Sequence, residues 1–388
     1  MAELTQAAMK ELNEWAQPEP ETEFIETGNI GFDMAISNGR GLPLGSSILF
    51  WGAPGCGKTT LFADVARRLI RTHKAEDKPF RVLYLAVEGS KELMKSLGLK
   101  EYIDSKDFIY IERRFTWSQV ELFYDAVLAG KGEYKDVKLI VIDSINNVLS
   151  DQNVKNSVSS GDFGSKAKDR NNFWAKYLPV CKQKRISTFM VAQMRQKQDA
   201  GTSMFAEKEK AAASFSDLHN ADVIFKCKKL TNNKDSVKVI TKTAFGENKD
   251  TIKYVLMLDP TNAASKNRID RTYQCEILLE KGVGAHNYYA LRKMLILHGF
   301  LKENGAWYNF PKEVAEGLGV SDKKMYMNDV NEIIKENSGA FVNLLKETGC
   351  YSIVAKSSDG IKEIAGDEDV EETSEVTETY PDDDSDEE

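Results

Sequence analysis

The sequence has 388 residues, with 52 Lys+Arg against 60 Asp+Glu and a formal net charge of -8. At 41% hydrophobic and 29% charged residues its composition is globular, which excludes a disordered or fibrous chain. No apolar stretch approaches the roughly 18 residues of a membrane span. Cys56, Cys181, Cys227, Cys275 and Cys350 form no CxxC pair, so neither a zinc ribbon nor a disulfide framework is expected. The N-terminus carries no apolar run, so no secretory signal is expected, and the cysteine usage fits a reducing cytoplasm.

The charge is unevenly placed. Asp367 to Glu388 holds 13 acidic residues and no basic one, and without that segment the chain carries +5. An acidic label therefore describes the tail and not the body.

In chain order, residues 6–16 show helical spacing of Met9, Leu12 and Ala16, and Gln17-Pro18-Glu19-Pro20 ends that helix. Two placements stay open for it: packing on its own domain, or an arm docked on a neighbouring protomer. Strand-like runs follow at Ser47–Trp51, Arg81–Ala86, Phe108–Ile111, Lys138–Ile142 and Ser187–Ala192. Helical patterns lie between them at Thr59–Thr72, Trp117–Ala129 and Ala167–Lys184. This alternation reads as βαβ units, an α/β fold with a mostly parallel central sheet flanked by helices.

Val223–Lys228, Ile252–Leu258 and Tyr273–Leu279 have shorter links and predict a meander closing the sheet edge. A helix is expected at Asn287–His298 and a small helical satellite at Lys312–Thr348. The acidic tail has the composition of a disordered segment. The expected organisation is residues 1–28 as N-terminal helix and linker, 29–310 as core, 311–356 as C-terminal subdomain and 357–388 as tail.

Gly52-Ala53-Pro54-Gly55-Cys56-Gly57-Lys58-Thr59 matches G-x-x-x-x-G-K-[ST] between a strand and a helix. Glycines let the backbone turn its N–H groups onto phosphate, and the helix start adds partial positive charge. Lys58 would meet the β/γ-phosphates of a nucleoside triphosphate and Thr59 would ligate Mg²⁺. The apolar strand Leu139-Ile140-Val141-Ile142 ends in Asp143, placed to hold the metal through water. Glu88 ends Val82–Val87, the first strand after the phosphate loop. It is a candidate for activating water, or simply a solvated strand end.

Two polar segments, Asp151–Ser165 and Met194–Leu218, follow strands on the same edge of the sheet, where loops of such sheets carry function. Residues 166–235 contain 15 Lys+Arg against 7 Asp+Glu. Lys166, Lys168, Arg170, Arg195, Lys197, Lys208 and Lys210, interleaved with Phe205 and Phe215, make a candidate nucleic-acid surface with contacts mainly to phosphate. A solvated basic face with core aromatics is the alternative.

The order of these elements resembles the RecA-type strand-exchange recombinases, especially phage recombinases of the UvsX kind. The likeness spans roughly Asn29 to Phe310. Its residues are Gly52–Thr59 with Thr60, Glu88 followed by Leu97-Gly98-Leu99, Thr116-Trp117-Ser118-Gln119 and Val141-Ile142-Asp143-Ser144-Ile145. They continue with Val191-Ala192-Gln193, Asn220-Ala221-Asp222, Ser265-Lys266-Asn267-Arg268 and Gly305-Ala306-Trp307-Tyr308.

The resemblance implies ATP and Mg²⁺ as cofactors and Glu88 as the catalytic carboxylate. It further implies Gln193 as a γ-phosphate sensor joined to the second DNA loop, and Lys266 and Arg268 as cations reaching the neighbouring protomer's ATP. Leu93 stands where the family usually places an aromatic on adenine, which implies an apolar clamp. The second loop, Glu207–Phe215, is alanine-rich where relatives are glycine-rich.

The expected activity is DNA-stimulated ATP hydrolysis in a helical filament on single-stranded DNA that pairs with homologous duplex. Single-strand-binding and mediator proteins are the implied partners, and no membrane is involved. A ring-forming helicase with the same core and a regulatory ATP-binding oligomer without DNA activity are the competing readings.

Overall fold

A computed structural model describes residues 22–151, 163–196, 209–213, 215–230, 235–243, 246–260 and 273–351. The expected N-terminal helix and the acidic tail lie outside these residues.

Six strands run parallel. They are β1 (Ser47–Gly52), β2 (Arg81–Ala86), β3 (Phe108–Glu112), β4 (Val137–Asp143), β5 (Ser187–Gln196) and β6 (Val223–Leu230), in the spatial order β6-β1-β5-β4-β2-β3. Beyond β6 the sheet turns antiparallel through β8 (Gly246–Pro260) and β9 (Cys275–Glu280), and β7 (Val237–Thr243) hairpins onto β8.

Both faces of the parallel strands are covered, which explains their unbroken apolar runs. Ile48 and Phe50 of β1 face one core with α1 (Ile30–Ser37) and α2 (Lys58–Ala75). Leu49 and Trp51 face the other, with α3 (Trp117–Ala129) and α4 (Phe163–Gln183). The same alternation holds in β4, where Leu139 and Val141 oppose Ile140 and Ile142. Phe50 centres the first core, with its ring 4.9 Å from Phe62 and 5.3 Å from Phe189.

A third core joins Ile30 and Met34 of α1 to α5 (Asn287–Leu297), α6 (Lys312–Leu318), α7 (Met327–Glu336) and α8 (Ser338–Glu347). A small sheet of Lys302–Asn304, Trp307–Asn309 and Met325–Tyr326 adds strands to this otherwise helical region.

β6 pairs in parallel with β1 and antiparallel with β8, which pairs antiparallel with β9, so the meander expected at this sheet edge is present. One expectation needs correction. The second polar segment contains a strand, Glu209–Ala211, which pairs antiparallel with the extension of β5. Backbone hydrogen bonds to that extension hold these residues, so their side chains gave no strand signal.

Candidate nucleotide site and its connection to a basic hairpin

Gly52 ends β1 opposite Gln193 of β5 on one side and Cys227 of β6 on the other. A Cβ at Gly52 would lie 2.3 Å from the Cys227 carbonyl oxygen, so only glycine fits there. Gly57 closes the loop at φ 111°, and a Cβ there would stand 2.8 Å from the Tyr254 ring. α2 then begins at Lys58 with no side chain capping its first turn. Its leading N–H groups and the positive end of its dipole are left for an anion. The Lys58 ammonium donates to the Gly52 and Ala53 carbonyls at 3.0 Å each. These are neutral acceptors, and a phosphate oxygen makes the stronger, charge-assisted bond.

The sheet register brings the carboxylates to the same edge, with Ala86 beside Asp143 and Asp143 beside Val191. The Asp143 carboxylate accepts from Thr59 Oγ1 at 3.0 Å and from Tyr84 OH at 2.6 Å. Burial pushes its pKa up, against the pull of those two hydroxyls and the Lys58 charge. Burial and the neighbouring Asp143 also push the Tyr84 phenol up, which keeps it a donor. A carboxylate desolvated in this way is stabilised by a cation, and the Thr59 hydroxyl with the Asp143 carboxylate is the hard-oxygen set that Mg²⁺ prefers. The residues therefore fit the metal.

Glu88 follows β2 and is exposed, and its backbone N–H is bonded to the Asp143 carbonyl at 3.1 Å. Its Oε1 accepts from Gln193 Nε2 at 2.6 Å and from Asn147 Nδ2. Gln193 begins the β5 extension that pairs with Glu209–Ala211, where Arg195 lies directly opposite Lys210. A cleft of about 240 Å³ beside the loop is lined by Pro54, Gly55, Met194, Lys226, Lys228 and Lys229.

Lys58, Thr59, Asp143, Glu88 and Gln193 thus meet at one sheet edge. Thr60 accepts a 3.4 Å hydrogen bond from Tyr254 OH, and Leu93 is 42% exposed on the short helix Lys91–Met94. Among the candidate DNA contacts, Lys168, Arg195 and Lys210 are exposed. Arg170 is not: it is buried, ion-paired with Asp217 and set over the Trp117 ring, an anchor between α4 and the helix Phe215–Asn220. Lys166 lies in the first turn of α4 and Phe215 opens the helix Phe215–Asn220. Lys197, Phe205, Lys208, Lys266 and Arg268 lie outside the described residues.

Sequence reasoning passed over Tyr84, Asn146, Asn147 and Lys226–Lys229. The available signals were a hydroxyl inside the apolar β2 run and an Asn pair after Asp143-Ser144-Ile145.

A glycine-lined phosphate loop at the end of a parallel strand, with a hydroxyl–carboxylate pair beside it, defines a P-loop nucleotide-binding protein of the α/β class. A family model described as an AAA domain matches residues 37–173. Over most of its length the chain is similar to proteins named RecA. It is 24% identical over 340 residues to that of Streptomyces ambofaciens, covering 85% of this chain and 82% of the relative. It is 22% identical over 323 residues to that of Mycolicibacterium smegmatis, covering 81% and 83%. With that of Rickettsia canadensis it shares 20% over 340 residues, covering 84% and 88%. These matches bear out the RecA-type resemblance. No helix among the described residues is long and apolar enough to cross a membrane.

Proposed function

We propose that this protein is a DNA-dependent ATPase that assembles as a filament on single-stranded DNA and pairs it with homologous duplex, in the manner of RecA-type and UvsX-like recombinases. The observation that carries the proposal is the 2.6 Å hydrogen bond from Gln193 to Glu88. It joins the proposed water-activating carboxylate to the strand that continues into a basic hairpin.

In this reaction the loop N–H groups and Lys58 bind the β- and γ-phosphates. Thr59 and Asp143 would hold Mg²⁺, which would neutralise charge on the phosphate oxygens when bound. Glu88 orients a water molecule and takes its proton as the water oxygen attacks the γ-phosphorus. The bond to the bridging oxygen breaks, releasing ADP and phosphate. With a γ-phosphate present, Gln193 exchanges Glu88 for a phosphate oxygen and so moves the β5 extension. Lys266 and Arg268 of an adjoining protomer supply further positive charge, which makes turnover depend on assembly.

The hairpin supports the DNA part of the proposal. Like charges directly across a ladder are destabilising, and Arg195 opposite Lys210 is relieved when an anion bridges them. Phosphate is that anion in a surface that takes any base sequence, with Lys166, Lys168, Lys197 and Lys208 as further contacts and Phe205 and Phe215 for stacking.

ATP hydrolysis measured with and without single-stranded DNA tests the proposal, together with electron microscopy of the same mixtures. Stimulated hydrolysis and helical filaments are expected. Closed rings would turn the assignment to a helicase, and absence of stimulation to a regulatory ATP-binding oligomer. Glu88→Gln should keep ATP-dependent DNA binding and lose turnover.

A further inference from the structure

The two residues after Asp143-Ser144-Ile145 are both Asn, at the end of an otherwise apolar strand segment. They sit in a single tight turn, Ile145–Asn147, fastened by Ile145 and Val148, both fully buried in the core under α3 and α4. The turn is closed by the Asn147 N–H on the Ser144 carbonyl at 3.2 Å, and the Asn147 amide reaches Ser144 Oγ at 3.2 Å. The two side chains therefore leave a rigid support.

Each spans a different gap. Asn147 Nδ2 donates to Glu88 Oε1, the same oxygen that takes Gln193 Nε2. The Asn146 side chain fills the place of a peptide group between two strands. Its Oδ1 accepts the Gln193 N–H at 2.9 Å, and its Nδ2 donates to the Ala212 carbonyl, next to the strand Glu209–Ala211. The Ala212 N–H closes the ring of bonds on the Gln193 carbonyl at 2.7 Å.

We infer that Asn147 is a positioning residue for the water-activating carboxylate, and that Asn146 couples that position to the basic hairpin. The inference rests on the proposed roles of Glu88 and the hairpin and adds what those roles lack. In the proposed mechanism, Gln193 exchanges Glu88 for a γ-phosphate oxygen. When it leaves, an exposed carboxylate on a flexible side chain would lose its orientation. Asn147, fixed to the core, keeps Oε1 in place and leaves Oε2 toward the attacking water. A shift of the hairpin is transmitted through the Asn146 amide to the same turn, so DNA contact and carboxylate geometry move together.

The test uses the full-length protein with Mg²⁺ and single-stranded DNA. Steady-state kcat and KM, the affinity for a fluorescent ATP analogue, DNA affinity and thermal midpoint are compared for Asn147→Ala, Asn147→Gln, Asn146→Ala and Glu88→Gln. Asn147→Ala should lower kcat by about 10-fold to 100-fold, the scale of a misplaced reacting group, with KM, both affinities and the midpoint little changed. Asn147→Gln, which retains the amide, should recover part of that loss. Asn146→Ala should lower the ratio of DNA-stimulated to unstimulated kcat. A wild-type kcat in Asn147→Ala, beside an inactive Glu88→Gln, would overturn the inference while sparing the role of Glu88. So would a joint fall in kcat, affinities and midpoint in Asn147→Ala. Wild-type turnover in Glu88→Gln would instead overturn the proposed mechanism beneath it.

Discussion

Asp33 of α1 turns its carboxylate onto Thr27, accepting the Thr27 hydroxyl at 2.6 Å and its backbone N–H at 3.1 Å. Burial outweighs these bonds and raises its pKa to about 7. The folded carboxyl thus holds its proton more tightly than the unfolded one. Between the ordinary carboxylate range and about 7 the native state binds the extra proton, so this group's contribution to stability falls as pH rises through that window. Asp33→Asn should flatten the dependence of thermal midpoint on pH in that range, and an unchanged slope would count against it.

Tyr84 offers a second test at this scale. Tyr84→Phe removes a hydroxyl from a charged partner, and the Mg²⁺ concentration for half-maximal hydrolysis should rise by about tenfold. Nucleotide affinity without metal should stay as it was. Lys58 and Thr59 were legible because their spacing within one strand–loop–helix unit is itself the motif, and Asp143 because it ends a separate apolar strand. Tyr84 was not, since nothing in a strand reading Val-Leu-Tyr-Leu marks a partner 59 residues away.

At the scale of elements, β1 is the strand on which both cores meet. Phe50→Ala should cost about 3–5 kcal/mol, as truncation of a fully packed aromatic does, read as a shift of the denaturation midpoint. Arg170 belongs here too, because its buried partner Asp217 also accepts Trp174 Nε1 at 2.7 Å. Removing the cation strands a buried carboxylate, so Arg170→Ala should destabilise by about 3–5 kcal/mol. An exposed phosphate contact would instead change DNA affinity and leave stability alone, which is the outcome expected of Lys168→Ala. Basic spacing along a helix cannot separate these two, because α4 carries Lys168 outward and Arg170 inward only two residues apart. The parallel strands were read correctly from their apolar runs. The strand Glu209–Ala211 was not legible, since its pairing with the β5 extension rests on backbone hydrogen bonds and not on side-chain type.

Across the whole molecule, the charge division makes a further prediction. Under the proposed function, the thirteen carboxylates in Asp367–Glu388 are expected to compete with DNA for a body that carries +5 without them. Deleting that segment should strengthen duplex binding at low salt and alter its salt slope. Equal affinities with and without it would make the segment a solubilising extension.

The phosphate-loop motif, the carboxylate ending an apolar strand, the βαβ order and the acidic C-terminal run were determined by the sequence alone, since each is a pattern of residues close together in the chain. Only the tertiary structure decided which polar groups meet at the sheet edge. Glu88 and Gln193 are 105 residues apart, and Asn146 and Ala212 are 66 apart. Lateral pairing of β1, β5, β4 and β2 brings these groups together. That register comes from long-range packing of two apolar faces, which no local pattern records.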